Sequence, residues 1–487
     1  MLIARKLKSP VLYALGTLLL FMAGFMLIPA LYGIDHNDTT WISFIKSILI
    51  TLACALPIIL INYQNRNQLN ITLKQTFLLT TLVWLLIAVF GGLPFYFSGH
   101  LGFLDSFFEA MSGLTATGST VMTGLDNTNK SILLWRAMTQ SIGGLGIIVI
   151  GMSVLPFLNV GGMQLFRTES SDISDKLFAK AKDFALNISV VYLALLVLCT
   201  LGLFIAGMNF FDSICHAFTA MSTGGFSTSD GSIGHWNSTS IEWTLVFFMA
   251  LAAIPFVRLA VLSKWKFKQI FKDTQIQTFL GILLGIWLIL TPLHYFYNEL
   301  PFGEALRNIA FNTTSLITTT GYVSEDYLLW GSFFIVSAFF ITMMGGCTGS
   351  TSGGIKTFRF QIMWQVFKHQ IVSLYNPNRV MPLKYQNKDI DKKLMLSVMN
   401  FIAVFMLTCF VSTVLLSFMG VDPITALSGT FTTTANVGPG LGEIIGPAGN
   451  FASLPMGAKM VLAFDMLLGR LEFFTVLILF FPDFWRK

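Results

Sequence analysis

Long apolar stretches alternate with short polar ones along the whole chain. The clearest apolar runs lie at about 11–30, 42–61, 76–97, 184–206, 277–297 and 394–419. Each is near the ~20 residues with which a helix crosses a bilayer. Less uniform apolar segments at about 131–157, 240–262, 328–344 and 456–481 bring the expected spans to about ten. The first run is long for a signal sequence and lacks a clear cleavage site, so it reads as a retained span.

After the first two spans, one arrangement occurs four times. An apolar segment is followed by a short stretch led by an acid (Asp105, Asp212, Glu304, Asp422), then by a polar stretch ending in glycine, then by a second apolar segment. The polar stretches are Thr115-Ala116-Thr117-Gly118, Ser222-Thr223-Gly224-Gly225, Thr318-Thr319-Thr320-Gly321 and Ala435-Asn436-Val437-Gly438. One offset carries Gly118 onto Gly225, Asp105-Ser106 onto Asp212-Ser213 and Ala110 onto Ala217, while the third and fourth units have diverged further. A helix over 105–114 rises about 15 Å, half the hydrocarbon thickness. It can enter the membrane and turn back, but not cross. Its non-helical continuation must line water or protein, because lipid cannot satisfy bare peptide groups. The expected fold is an all-α polytopic membrane protein. Its parts are a two-helix hairpin (1–70) and four units at 71–165, 166–272, 273–380 and 381–487.

The chain has 487 residues, 54% hydrophobic and 11% charged, with a mean hydropathy of +0.71. A soluble protein carries roughly a quarter charged residues. The net charge of +6 does not imply nucleic acid, because it follows the positive-inside pattern. Arg5, Lys6 and Lys8 place the N-terminus in the cytoplasm, and the next loop holds Asp35, His36 and Asp38 without a cation. Arg66 and Lys74 turn the chain inward again. The later inward segments carry Arg167, Lys176, Lys180 and Lys182, then Lys264, Lys266, Lys268 and Lys272, then Arg359, Lys368, Arg379, Lys384, Lys388, Lys392 and Lys393. Outward loops hold chiefly Lys130 and Arg307, and Arg486 and Lys487 end inside. The five cysteines are scattered, with no metal-site spacing and no disulfide framework.

The four polar stretches suit a cation filter. A permeating ion trades its water for other oxygens, and rings of backbone carbonyls supply them without fixed charge. Glycine at the fourth position admits φ > 0, which side chains resist. The short helices aim their partially negative C-terminal ends at the pore centre, and their acidic starts suit the positive ends. Past the filter glycines come Asp126, Asp230, Glu325 with Asp326, and Glu443, candidates for an acidic outer mouth or for plain solvated loop charges.

Together with the TTTG, STGG and NxGPG stretches, five strings carry a family resemblance. They are Gly143-Gly144-Leu145-Gly146-Ile147-Ile148, Gly161-Gly162-Met163-Gln164-Leu165, Gly345-Gly346-Cys347-Thr348-Gly349-Ser350, Gly438-Pro439-Gly440-Leu441-Gly442 and Gly469-Arg470-Leu471-Glu472. The chain resembles the Trk/Ktr/HKT superfamily of K⁺ transporters, and within it the bacterial TrkH/TrkG membrane subunits. The resemblance covers nearly the whole chain. It implies four M1–P–M2 units around one pore, K⁺ as the transported and filter-bound ion, a homodimer, and a cytosolic Rossmann-type regulatory subunit that binds nucleotide. It also implies a bacterial inner-membrane location with both termini cytoplasmic, and filter glycines at Gly118, Gly225, Gly321 and Gly438. Ala116 departs from the Thr common at its position; Gly118, where some plant relatives have serine, favours potassium.

Two further stretches stand out. Gly345, Gly346, Gly349, Gly353 and Gly354 fall where a membrane helix is expected, and such a run breaks a helix. It is either a simple exit loop or, as the resemblance implies, a mobile loop that blocks the path below the filter. Arg470 lies within the last span near Asp465 and Glu472. A charge at mid-membrane faces a cavity or a partner, so Arg470 is either salt-bridged to one of those acids or set in the cation path. No histidine accompanies Ser350, Thr351 and Ser352, which argues against an intramembrane hydrolase. Neither a Walker A sequence nor a dinucleotide fingerprint is present, so nucleotide control falls to another chain. An inverted-repeat transporter is disfavoured because the four units run in the same direction.

Overall fold

A computed structural model describes residues 10–63, 72–153, 177–260, 272–379, 383–385 and 388–486. Gly161 to Leu165, Arg5, Lys6, Lys8, Arg66, Arg167, Lys176, Lys264, Lys266, Lys268 and Lys487 lie outside the described residues, as do the expected span ends at 157 and 262. Among the described residues the chain is helical apart from loops and two pairs of two-residue strands.

The N-terminal hairpin is α1 (Pro10–Asp35) and α2 (Trp41–Asn62). It packs Met22, Met26 and Phe44 against Phe95, Ile132 and Trp135 of the first unit. Its loop is fastened by Asp38, whose carboxylate accepts from Thr40 N–H (2.9 Å), Asn129 Nδ2 (2.7 Å) and Ser131 Oγ (2.5 Å). Partial burial opposes ionisation of Asp38, but the hydrogen bonds from Ser131, Thr40 and Asn129 outweigh it and hold the carboxyl below its usual range.

The first unit is α3 (Leu73–Phe97), α4 (Phe103–Leu114) and α5 (Lys130–Ser153); the second is α6 (Leu177–Ile205), α7 (Phe210–Met221), α8 (Thr239–Ala252) and α9 (Phe256–Ala260). The third is α10 (Thr274–Tyr297), α11 (Phe302–Ile317), α12 (Ser332–Met343) and α13 (Thr357–Tyr375); the fourth is α14 (Lys392–Phe418), α15 (Pro423–Ala435), α16 (Met456–Arg470), α17 (Phe474–Leu477) and α18 (Pro482–Trp485). Among the described residues six helices are long and apolar enough to cross a membrane: α1, α2 and the leading helix of every unit, the one in the second unit over 185–205. The trailing helices are polar, short or interrupted. α5 is buried continuously from Ser131 to Gln140, whereas α12 exposes Phe333, Val336 and Phe340. Protein surrounds α5 over that stretch, so its composition is under less hydrophobic constraint.

The expected continuity of two trailing segments does not hold. The stretch 240–262 breaks at Ala253 to Pro255, where proline has no N–H to continue the ladder. The stretch 328–344 is helical from Ser332 to Met343, close to its expected end, and then passes into a strand, Met344–Gly345, parallel to Ile355–Lys356. The stretch 456–481 ends at Arg470, with Glu472 in a left-handed conformation (φ 61°).

Contacts between units close them into a ring. Lys459 of α16 pairs with Asp105 of α4 at 2.7 Å. Arg136 of α5 donates to Ser227 O at 2.9 Å, and Glu242 of α8 pairs with Arg307 of α11 at 3.5 Å. The seam between the third and fourth units is aromatic, Phe339 against Phe431 with ring centres 5.0 Å apart.

Candidate functional site

The four short helices α4, α7, α11 and α15 end in the same way. In each, the first residue after the terminal turn is left-handed: Ala116 (φ 51°), Thr223 (53°), Thr319 (58°) and Asn436 (56°). The next N–H reaches back five residues: Thr117 to Ser112 O (2.9 Å), Gly224 to Thr219 O (2.8 Å), Thr320 to Ser315 O (2.8 Å), Val437 to Thr432 O (2.9 Å). This is the Schellman helix ending, four times over. Glycine usually holds its left-handed position; here none does, and β-branched Thr223 and Thr319 are strained there. The strain at Thr319 is held by its hydroxyl, which accepts from Gly353 N–H (2.6 Å) and bonds Ser352 Oγ (3.2 Å).

Two residues later each wall turns left-handed again, at Gly118 (φ 91°), Gly225 (76°), Gly321 (83°) and Gly438 (112°). The sequence-based expectation of φ > 0 holds at all four glycines. A second constraint was not foreseen. A Cβ on Gly118 would strike the Gly224 carbonyl, on Gly225 that of Thr320, on Gly321 that of Val437, and on Gly438 would crowd that of Thr117. Every glycine thus abuts the third-position carbonyl of the next wall, and the fourth closes on the first. The predicted residues of the four walls converge on one ring in chain order. Thr115 Oγ1 bonds Thr117 Oγ1 (2.7 Å) and Thr318 Oγ1 bonds Thr320 Oγ1 (2.8 Å) behind the walls, as expected for threonine there.

Outside the ring lies a cavity of about 240 Å³ lined by the four glycines, Arg136, Asp230 and Asn450. Of the acids expected at the mouth, Asp230 alone lines it. Glu325 accepts from Asn308 (2.8 Å) and Asp326 caps Leu328 N–H (3.0 Å). Behind walls one and two sits a buried ion pair, Arg136 Nε to Glu109 Oε1 at 2.8 Å. Glu109 also accepts from Val121 N–H (2.9 Å), and the guanidinium lies 4.1 Å from the Phe226 ring centre. Arg136, Glu109 and Gln140 were not singled out from sequence. Their signal was a set of polar side chains on buried segments, legible only once the facing wall is known.

On the opposite side of the ring, the glycine-rich loop of the third unit is wedged against it. Cys347 N–H donates to Ala253 O (2.8 Å), Thr351 Oγ1 to Ala252 O (3.2 Å), and Phe256 N–H to Gly349 O (2.9 Å). The loop therefore satisfies the peptide groups freed by the break between α8 and α9, as membrane depth requires. Gly354 N–H donates to Ala435 O at 2.7 Å, the foot of wall four. Gly349 and Gly354 are left-handed, whereas Gly345, Gly346 and Gly353 are glycines because backbone passes where a Cβ would be. Thr348 N–H bonds Gln275 Oε1, and Gln275 Nε2 bonds the Tyr385 hydroxyl at 3.0 Å.

Arg470 Nη1 donates to Thr351 O of this loop at 2.8 Å, and its Nε and Nη2 have no partner among the described residues. The salt-bridge alternative does not hold: Asp465 Oδ1 accepts from Ser412 (2.8 Å), and Glu472 pairs with Arg359. Lys356 Nζ donates to Ser352 O. Arg470, Lys356, Arg359 and Glu472 line a cavity of about 50 Å³ beside the loop. Three cations against one acid make it electropositive. Among the described residues no three His, Cys, Asp or Glu side chains converge to hold a metal, and the cysteines are free.

The sequence model of the TrkH family, described as cation transport protein, matches residues 44–487. The chain is 40% identical over 483 residues to the Trk system potassium uptake protein TrkI of Halomonas elongata, covering 98% of this chain and 97% of that one. It is 34% identical over 480 residues to the Trk system potassium uptake protein TrkH of Escherichia coli, covering 97% and 98%. The crystal structure of the potassium transporter TrkH from Vibrio parahaemolyticus superposes with a TM-score of 0.89 at 30% identity, covering 98% of this chain and 99% of that one. With four re-entrant segments meeting in one ring and kinship over nearly its full length, this chain belongs to the TrkH family of cation transport proteins.

Proposed function

We propose that this chain is the pore-forming membrane subunit of a potassium uptake system. The observation that carries this is the ring of four equivalent walls. Each alternates left-handed residues at its second and fourth positions, an alternation that swings successive carbonyls towards one side. Carbonyls replace the water of a K⁺ ion without fixing charge. The relatives at 40% and 34% identity are named as potassium uptake proteins. The chain transports rather than catalyses.

The filter is Thr115 to Gly118, Ser222 to Gly225, Thr318 to Gly321 and Ala435 to Gly438. The loop from Gly345 to Gly354 and Arg470 form the gate: backbone obstructs the path, and a guanidinium, charged at any physiological pH, repels a cation there. The system name borne by the relatives fits a subunit that works with others. The basic inward segments suit a cytosolic Rossmann-type, nucleotide-binding partner, and the whole acts as a homodimer in a bacterial inner membrane, termini inside.

Cation flux into liposomes holding only this protein tests the reading, with K⁺, Rb⁺, Na⁺ and Li⁺ compared. K⁺ and Rb⁺ are expected to pass well ahead of Na⁺ and Li⁺; flux that is absent, or equal for all four, overturns it. Cross-linking from Lys272, Arg379 and Lys393 in native membranes tests the partner: recovery of lipid alone removes the docking assignment.

A further inference from the structure

Gln140 lies on α5 one turn after Arg136 and is fully buried. Its amide brackets wall two. Phe226 N–H donates to Oε1 at 3.1 Å, and Nε2 donates to the Gly224 carbonyl at 2.6 Å. The backbone donor at Phe226 decides which amide atom is oxygen. The amide also occupies the space that a Cβ on Gly224 would need. This accounts for glycine at the third position of wall two, where the other walls carry Thr117, Thr320 and Val437.

The Gly224 carbonyl belongs to the set of four that abut neighbouring glycines. Among the described residues it alone of the four accepts a side-chain hydrogen bond. We propose that Gln140 is a specificity-determining positioning residue: by engaging one carbonyl of this set it weakens the field of the ring and biases it towards larger alkali cations. The proposal rests on the filter reading above. Attraction between a cation and an oxygen dipole rises as the ion shrinks. A stronger ring therefore gains more for Na⁺ than for K⁺, and more for K⁺ than for Rb⁺.

The test uses the full chain in liposomes, with flux normalised to folded protein. Discrimination by the unaltered chain is read first, and its absence counts against the filter, not against Gln140. Gln140→Met keeps length and burial but has no hydrogen to donate to the Gly224 carbonyl. The expected result is an Na⁺/K⁺ permeability ratio raised about fivefold, the equivalent of about 1 kcal/mol and the net size of one hydrogen bond, with Rb⁺/K⁺ lowered. Gly224→Ala should shift both ratios the same way, because its Cβ displaces the amide; in a Gln140→Ala background the same change should add little. Unchanged ratios in folded Gln140→Met, or equal increases for all three ions, overturn the proposal and leave Gln140 a packing brace. Should Gln140→Met fail to fold, unchanged ratios in Gly224→Ala overturn it instead.

Discussion

Asn436 donates its Nδ2 hydrogen to Thr117 Oγ1 at 2.9 Å, joining the last wall of the ring to the first across 319 positions of sequence. The same nitrogen donates to Met466 O at 3.0 Å, so one side chain ties walls one and four to α16. Four covalently linked units need such a closure, because the chain itself connects one to two, two to three and three to four, but not four to one.

Asn436 is also left-handed, a conformation that asparagine tolerates and β-branched residues resist. Asn436→Val should lose both hydrogen bonds and strain the backbone, costing about 3 kcal/mol of stability. Asn436→Gly should lose the bonds without the strain and cost less. Thermal unfolding in detergent checks the order; equal midpoints for the two variants would remove the conformational part of the account.

Gly118→Ser should lower the K⁺/Na⁺ permeability ratio more than it lowers total flux. The new Cβ meets the Gly224 carbonyl, so it distorts two walls at once. A fall of about tenfold corresponds to about 1.4 kcal/mol of lost discrimination. Liposome flux with paired cations measures it, and an unchanged ratio takes Gly118 out of the filter.

Arg470→Ala should raise basal flux in the absence of any partner, with selectivity retained, because the walls are untouched while the cation on Thr351 O is gone. Deleting Thr348 to Ser352 should act in the same direction but less cleanly, since it also frees Ala252 O and Phe256 N–H at the break between α8 and α9. Flux per folded molecule is the readout. Loss of flux in correctly inserted deletion protein would make the loop a support for the ring.

The Asp38 stitch should make stability depend on acid. Its folded carboxyl titrates below the usual value, so the contribution is complete above the unfolded value of ~3.9 and fades as pH falls through the folded one. Melting temperatures followed down to pH ~3 should drop more steeply for the unaltered chain than for Asp38→Asn, which starts lower. Parallel curves for the two proteins would leave Asp38 without a share in acid sensitivity.

Apolar helices, the short helices between them and the left-handed glycines of the ring were legible in the sequence because each depends on a residue and its solvent, or on a residue and its own backbone. The apolar runs of α1, α2 and the leading helices face lipid, so bilayer thickness sets their length wherever their neighbours stand. The segments after Asp105, Asp212, Glu304 and Asp422 are too short to cross, whatever they pack against. Gly118, Gly225, Gly321 and Gly438 announce left-handed backbone by lacking a Cβ.

What only the tertiary structure decided involves partners far apart in the chain. Pro255 marks the break after Ala252 locally, but the fold supplies the partner for the freed carbonyl: Cys347 N–H of another unit donates to Ala253 O. Ala116, Thr223 and Thr319 are left-handed because the helix ending and the ring impose it, against the preference of their side chains, whereas asparagine at 436 tolerates the same conformation. Arg470 lies within reach of Asp465 and Glu472 by sequence, yet it binds Thr351 because Ser412 and Arg359 already hold those acids. Hydropathy is settled residue by residue against the solvent, whereas a buried hydrogen-bonding group must choose among partners that exist only once the ring has closed.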